Sequence, residues 1–184
     1  SKRLEVVKLF RKYDVLCLEY ITALQRENID NLDSIYNMNL GEYAPDSWQF
    51  FRVLDSNGEP GSSPEEMRLA IDKLYSLNKK FDLKYKIVDA VPFCVSDNPH
   101  KASEVVSGEL NEEHLVKMVT DPKGNVKMMC SFDLDLGNIL HKSIKDIWES
   151  DMAKNMINLN FTPTGCDGCI FWDDCCGGSR FVAR

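Results

Sequence analysis

The sequence predicts an α/β chain in which parallel strands are joined by helical crossovers and followed by a small lobe organised around cysteines. Three observations predict it. Apolar patterning alternates helix, strand, helix, strand, helix, strand up to about residue 94; the texture then turns polar and hairpin-like; and the last twenty residues hold four of the seven cysteines. Regular alternation of helix and strand is the pattern of βα units, whose crossover connections are right-handed.

Residues 2 to 13 place Val6, Phe10 and Tyr13 on one helical face, and the apolar run Val15-Leu-Cys-Leu-Glu-Tyr-Ile21 reads as a buried strand that takes Cys17 into the core. Asp30 is positioned to cap a short helix with Leu32, Ile35 and Tyr36 on its apolar face, ending near Gly41. The aromatic segment from Ser47 to Leu54 reads as a second strand. Ser63, Pro64 and Glu66 then announce a helix, with a capping box and a proline in the first turn, and its stripe is Met67, Ile71, Leu74 and Leu77. Leu83 to Val88 reads as the third strand, closed by Pro92 before Cys94.

Residues 95 to 114 are polar and read as a long loop. Leu115–Thr120 and Val126–Met129 flank Asp121-Pro-Lys-Gly124, a hairpin signal with glycine available for a positive φ, and Cys130 follows the second strand. Ser143 is placed to cap a helix bearing Ile144, Ile147, Trp148, Met152 and Met156 as core. The domain boundary is therefore expected near residue 94.

Composition narrows the function. With 43% hydrophobic and 28% charged residues the chain is ordinary for a globular protein. A net charge of -7 leaves no excess of Lys and Arg to displace counterions from a phosphate backbone, so nucleic acid is not the expected partner. No apolar run approaches the roughly 20 residues that span a bilayer, and no secretory signal is evident, so a cytoplasmic protein with no membrane partner is expected. Seven cysteines, odd in number and crowded toward one end, argue for metal binding over a disulfide framework.

Cys166, Cys169 and Cys175 form a C-x2-C-x5-C array interleaved with glycines. A C-x2-C pair lets two thiolates reach one centre from a single turn, and a third can close over it. Spacing alone leaves two centres open. One is an iron–sulfur cluster. The other is tetrahedral zinc, completed by His114 or His141, in a non-catalytic interaction module.

The run Val119 to Cys130, the segments Leu136-Gly-Asn-Ile139 and Ser143-Ile-Lys-Asp-Ile-Trp148, and the terminal array through Gly177-Gly178-Ser179-Arg180 together resemble the SPASM or twitch region of radical S-adenosylmethionine enzymes. The resemblance implies a fold and a division of the chain. Residues 1–94 would be the C-terminal half of a partial (β/α)6 TIM-like barrel, and residues 95–184 a SPASM/twitch-like lobe of β-hairpin plus helix. It implies an auxiliary iron–sulfur cluster, of the 4Fe-4S kind, on Cys166, Cys169 and Cys175, with Cys130 and Cys94 resembling upstream ligands. The fourth position is left to Cys130, Cys94, Cys176, a serine oxygen, water or substrate. Ser179 stands where that family carries a further cysteine, so one such cluster rather than two is expected.

The same resemblance places S-adenosylmethionine near the C-terminal ends of the barrel strands, where Thr22, Asn28, Gln49 and Arg52 fall. It implies modification of a peptide or small-molecule substrate by the complete enzyme. The C-x3-C-x2-C triplet that holds the radical-generating cluster does not occur in this sequence. The chain therefore reads as the C-terminal part of such an enzyme, inactive alone. An open strand edge beside Val15–Ile21 predicts self-association or a partner that supplies the other half barrel.

Overall fold

A computed structural model describes residues 2–13, 17–38, 44–53, 61–89, 91–107, 118–128, 135–158 and 162–178. The fold is mixed α/β and divides into two compact units. The first comprises Ser1–Leu54, Pro60–Asp89 and Phe93–Ser107; the second comprises Asp55–Glu59, Ala90–Pro92 and Gly108–Arg184.

The first unit runs α1 (Lys2–Lys12), β1 (Glu19–Leu24), α2 (Arg26–Ile29), α3 (Leu32–Met38), β2 (Ser47–Arg52), α4 (Pro64–Phe81), β3 (Lys86–Ile87), a 3-10 turn (Phe93–Val95) and α5 (Pro99–Val105). Its sheet is parallel in the order β1-β2-β3, with Tyr20 opposite Trp48, Leu24 opposite Arg52 and Phe50 opposite Ile87. Sequence order and spatial order coincide, as successive crossovers in one direction produce.

Aromatic packing fixes one face of this sheet. Tyr36 of α3 stacks on Trp48 at 5.0 Å between centroids and on Phe50 at 6.0 Å. The polar atoms of this layer find partners inside it. Trp48 Nε1 donates to Thr22 Oγ1, Tyr36 Oη donates to Asn78 Oδ1, and Asn78 Nδ2 donates to the Tyr85 carbonyl. Burial, aided by the neighbouring Tyr85, pushes the Tyr36 phenol well above its ordinary range, so it stays a neutral donor.

Helix α4 covers that face through Met67, Ile71, Leu74 and Leu77, all buried. It starts where its capping box dictates: the Glu66 N–H donates to Ser63 Oγ at 3.2 Å, and the Ser63 N–H donates to Glu66 Oε2 at 2.8 Å. It ends on Asp82 in the left-handed region, φ 52.

Three local expectations differ from what forms. The first strand starts later, at Glu19, so Cys17 is exposed and Ile21, at 65%, points to solvent. Residues 14–16 lie outside the described set. Helix α1 forms, but Val6, Phe10 and Tyr13 are exposed, and Val7 is buried. The helix is held from another side: Arg11 donates to Asp46 at 3.2 Å and to the Ala44 carbonyl at 2.7 Å. Asp46 also accepts the Leu18 N–H at 2.6 Å, and this bond first, then Arg11, holds its carboxyl below the usual range. Finally, the polar stretch after 95 contains α5, because Asn98 Oδ1 accepts the His100 N–H and Pro99 occupies the first helical position.

The second unit contains an antiparallel sheet of β4 (Val119–Thr120), β5 (Asn125–Lys127) and β6 (Gly137–Asn138), followed by α6 (Ile144–Trp148), α7 (Asp151–Ile157) and α8 (Trp172–Cys175). The hairpin turn is built as its residues demand. Gly124 takes φ 84, and Asp121 accepts the N–H groups of Lys123 and Asn125. Bonds from Asn125 lead the causes that hold the Asp121 carboxyl below its ordinary range. The single helix expected after Ser143 is two helices. Ser150 Oγ donates to the Ile147 carbonyl at 2.7 Å and accepts the Ala153 N–H at 3.3 Å, ending one helix and capping the next. The core therefore gathers Val126, Met128, Leu136, Ile147 and Ala153, with Trp148 and Met156 packed against it, while Ile144 and Met152 are exposed.

The capping box makes a direct prediction. Ser63→Ala removes an acceptor at the start of α4 and should destabilise the chain by about 1 kcal/mol, read as a lower urea midpoint at unchanged slope. Ser63→Asp should restore most of the loss.

Candidate metal centre

The path of the backbone from Pro163 to Gly178 is a succession of tight turns. The Cys166 N–H donates to the Pro163 carbonyl at 3.0 Å, the Cys169 N–H to Cys166 at 3.1 Å, and the Trp172 N–H to Cys169 at 3.1 Å. Helix α8 follows. The chain then makes a left-handed run of Cys176 (φ 50), Gly177 (φ 78) and Gly178 (φ 72), and the Gly178 N–H closes back on the Cys175 carbonyl at 2.8 Å. Cys175 is 7% exposed, Cys166 is half-buried and Cys169 is exposed.

Two glycines here are required by contact as well as by φ. A Cβ on Gly177 would stand 2.9 Å from Pro163 Cγ and 3.5 Å from Cys166 Sγ, so the Cys166 sulfur lies against the turn that follows Cys175. A Cβ on Gly178 would stand 2.5 Å from Pro92 Cδ and 2.6 Å from Pro92 N, closer than real atoms approach. The turn is thus clamped between Pro163 and Pro92, and both glycines are buried.

The structure brings Cys166 to the Cys175–Gly178 turn but leaves Cys169 outside. Among the described residues no group of three or more His, Cys, Asp or Glu side chains is gathered as a metal site. Two features nonetheless fit a thiolate-bound centre: three soft donors fall on one short run of tight turns, and the Cys166 sulfur lies against the turn that follows Cys175. Cys130 and His114 lie outside the described residues. His141 is exposed. Cys94 belongs to the first unit, exposed on the 3-10 turn, which is anchored by buried Phe93 and by Arg68 Nε donating to the Val95 carbonyl at 3.0 Å.

The four residues expected near a cosubstrate are placed as follows. Thr22 accepts from Trp48. Asn28 closes the cap of α2 and donates to the Ala23 carbonyl at 2.7 Å. Gln49 donates to Glu19 Oε1 at 2.8 Å. Arg52 alone stands at a strand's C-terminal end with a donor to spare: its Nε is buried with no partner. Burial pushes its guanidinium pKa down, and Asp89 opposes that shift while its carboxylate accepts the Arg52 backbone N–H. The sequence reading missed Asp89. Its only signal was position, just beyond the end of β3, where parallel strands present side chains to a shared rim.

The Pro92 contact supplies a test. Gly178→Ala combines a forbidden contact with a left-handed torsion and should cost on the order of 2 kcal/mol or more. It should broaden or shift the second unit's amide spectrum, while Gly168→Ala, which meets nothing within 4 Å, should cost only the torsional part.

Comparison with known proteins falls on this region. No curated protein and no solved structure matches the chain. Residues 112–170 match the family model described as SPASM, an iron-sulfur cluster-binding domain. The match ends within the cysteine array and takes in Cys130, Cys166 and Cys169. Over that stretch the second unit is similar to the SPASM domain, which is described as binding iron–sulfur clusters.

Proposed function

We propose that this chain binds one auxiliary 4Fe-4S cluster through Cys166, Cys169 and Cys175, as part of a radical S-adenosylmethionine enzyme that modifies a peptide or small molecule. The observation that carries the proposal is the SPASM match over residues 112–170, running into the C-x2-C-x5-C array. Thiolates are the soft donors that iron and sulfide prefer, and a partly buried knot with glycine-lined backbone suits them. When bound, such a cluster supplies electron transfer or a site of substrate attachment. Cys130 is the candidate for the remaining position, and Cys94 enters the ligand set by resemblance alone.

In this reading the first unit is the C-terminal half of a partial (β/α)6 barrel. Its parallel order and helical covering on the Trp48 face support that assignment. Arg52, with Thr22, Asn28 and Gln49, is then the cosubstrate side, Arg52 being the one whose donor is unfilled. The C-x3-C-x2-C triplet is not in the sequence, so cleavage of S-adenosylmethionine needs that triplet from outside it.

Anaerobic reconstitution tests the metal. Iron and acid-labile sulfide in equal amounts, with broad visible absorption, should appear in the unaltered chain. Cys166→Ser, Cys169→Ser and Cys175→Ser should each lower bound iron severalfold, whereas Cys17→Ser should not. Stoichiometric zinc without sulfide would decide for a structural zinc module instead.

The outer edge of β1 is a second proposed point of contact, for a copy of this chain or for a partner bringing the other half barrel. Ile21, Val6, Leu9, Phe10 and Tyr13 are exposed apolar groups on β1 and α1, and α1 is tied to the start of β1 through Asp46. Sedimentation velocity should show concentration-dependent association that Phe10→Lys weakens; a monomer at all concentrations would remove this point.

A further inference from the structure

We propose that two adjoining turns of the second unit, Asp121–Gly124 and Asn138–Lys142, with the start of α6, form a docking surface for an acidic, apolar peptide segment of another protein. The surface is independent of the cysteine chemistry. Three large apolar side chains fall here within six residues and face solvent: Ile139 is 40% exposed, Leu140 74% and Ile144 57%. Ile139 and Leu140 lie together over the hairpin turn, since a Cβ on Gly124 would stand 3.3 Å from Ile139 Cγ1 and 3.2 Å from Leu140 Cγ. A single exposed leucine needs no explanation, but several on one platform mark a contact surface.

Asn138 makes the platform rigid. Its Nδ2 donates to the Lys123 carbonyl at 3.0 Å and to Asn125 Oδ1 at 2.9 Å, and its Oδ1 accepts the Leu140 N–H at 2.8 Å. The Ile139 N–H donates to the Gly124 carbonyl, and the N–H groups of His141 and Lys142 donate to the Asn138 carbonyl, each at 3.0 Å. Leu140 is therefore presented on backbone that hydrogen bonds already fix. An anchor held in this way has little freedom left to lose on binding.

Charge selects the partner. The whole chain carries -7, yet from Leu136 to Lys145 there is no acidic residue, while His141, Lys142 and Lys145 fall in that stretch and Lys123 in the adjoining turn. All four are exposed. Lys142 makes no ion pair among the described residues, and Lys145 meets Glu149 at 3.9 Å in an exposed i,i+4 pair of the kind that contributes little. The neighbouring acids are engaged locally: Asp121 accepts the N–H groups of Lys123 and Asn125, and Asp146 accepts the Ser143 hydroxyl at 2.7 Å. An apolar centre with a rim of cations is complementary to a segment that sets carboxylates beside leucine-like side chains. A lipid surface fits less well, because α6 has only five residues and none of the three exposed apolar groups is a Trp or Phe of the kind that anchors at an interface.

A phage-displayed library of short random peptides, selected on the immobilised full chain, should enrich sequences that combine Asp or Glu with Leu, Ile or Phe. Those peptides, synthesised and labelled, should bind with an affinity that added salt weakens, and Leu140→Ser and Lys142→Glu should each raise Kd about tenfold or more. Both positions are exposed, so each variant should keep the urea midpoint of the unaltered chain; where one variant fails to fold, the other decides. Lys84→Glu, at an exposed lysine of the first unit, should leave Kd unchanged. No enrichment, enrichment of basic or uncharged peptides, or binding that neither variant weakens would overturn the proposal. Two other results would overturn it by giving the surface a different occupant. One is flotation with vesicles of equal parts phosphatidylserine and phosphatidylcholine that depends on Leu140, and the other is self-association that Leu140→Ser abolishes.

Discussion

The close approach of Gly178 to Pro92 is the constraint on which the geometry of the cysteine end depends. A chain passing through three left-handed residues in succession has no helix or strand to stiffen it, so its shape must be imposed by contact. Pro92 and Pro163 impose it. Both are rigid rings with few ways to yield, and each meets a glycine where a Cβ would collide. Because Ala90–Pro92 belongs to the same compact unit as Gly108–Arg184, this clamp is internal to the second unit and joins residues remote in sequence. The Cys166 sulfur is thereby held beside the turn that carries Cys175, while Cys169 is exposed.

The parts of the fold that were legible in the sequence are those whose cause is local. Ser63, Pro64 and Glu66 define the start of α4 within four residues, and the stripe of Met67, Ile71, Leu74 and Leu77 is buried as its spacing requires. The Asp121–Gly124 turn is equally self-contained. Errors arose where one signal has two meanings. Asn98-Pro99 marks a turn or a helix start, and here it starts α5. Ser150 continues a helical spacing and also caps, and capping prevails because its hydroxyl serves both sides of the break.

Burial was less legible than helicity, since periodicity shows that a face is apolar but not what lies against it. Val6, Phe10 and Tyr13 form a proper stripe and yet are exposed, because Arg11 and Asp46 hold α1 by another side. Cys17 was expected inside and is outside, because the strand begins two residues beyond it. At the site, the cysteine spacing identified the donors, whereas the clamp by Pro92 and the Arg52–Asp89 pairing join residues that no local pattern connects.

Among the described residues the buried side-chain atom without a hydrogen-bond partner is Arg52 Nε, in the first unit. Arg52 Nε is unpartnered, but the guanidinium lies in the field of Asp89, whose negative charge opposes the cost of burying the cation. That site is compensated to a degree without any ligand. At the cysteine end the turn from Cys175 to Gly178 is packed against Pro163 and Pro92, so its backbone is fixed before anything binds. Its thiols must lose their protons to take a metal, and loading that end therefore adds negative charge to a backbone that is already set. The strand rim depends on a charge that the chain itself supplies, whereas the chemistry of the cysteine end depends on deprotonation.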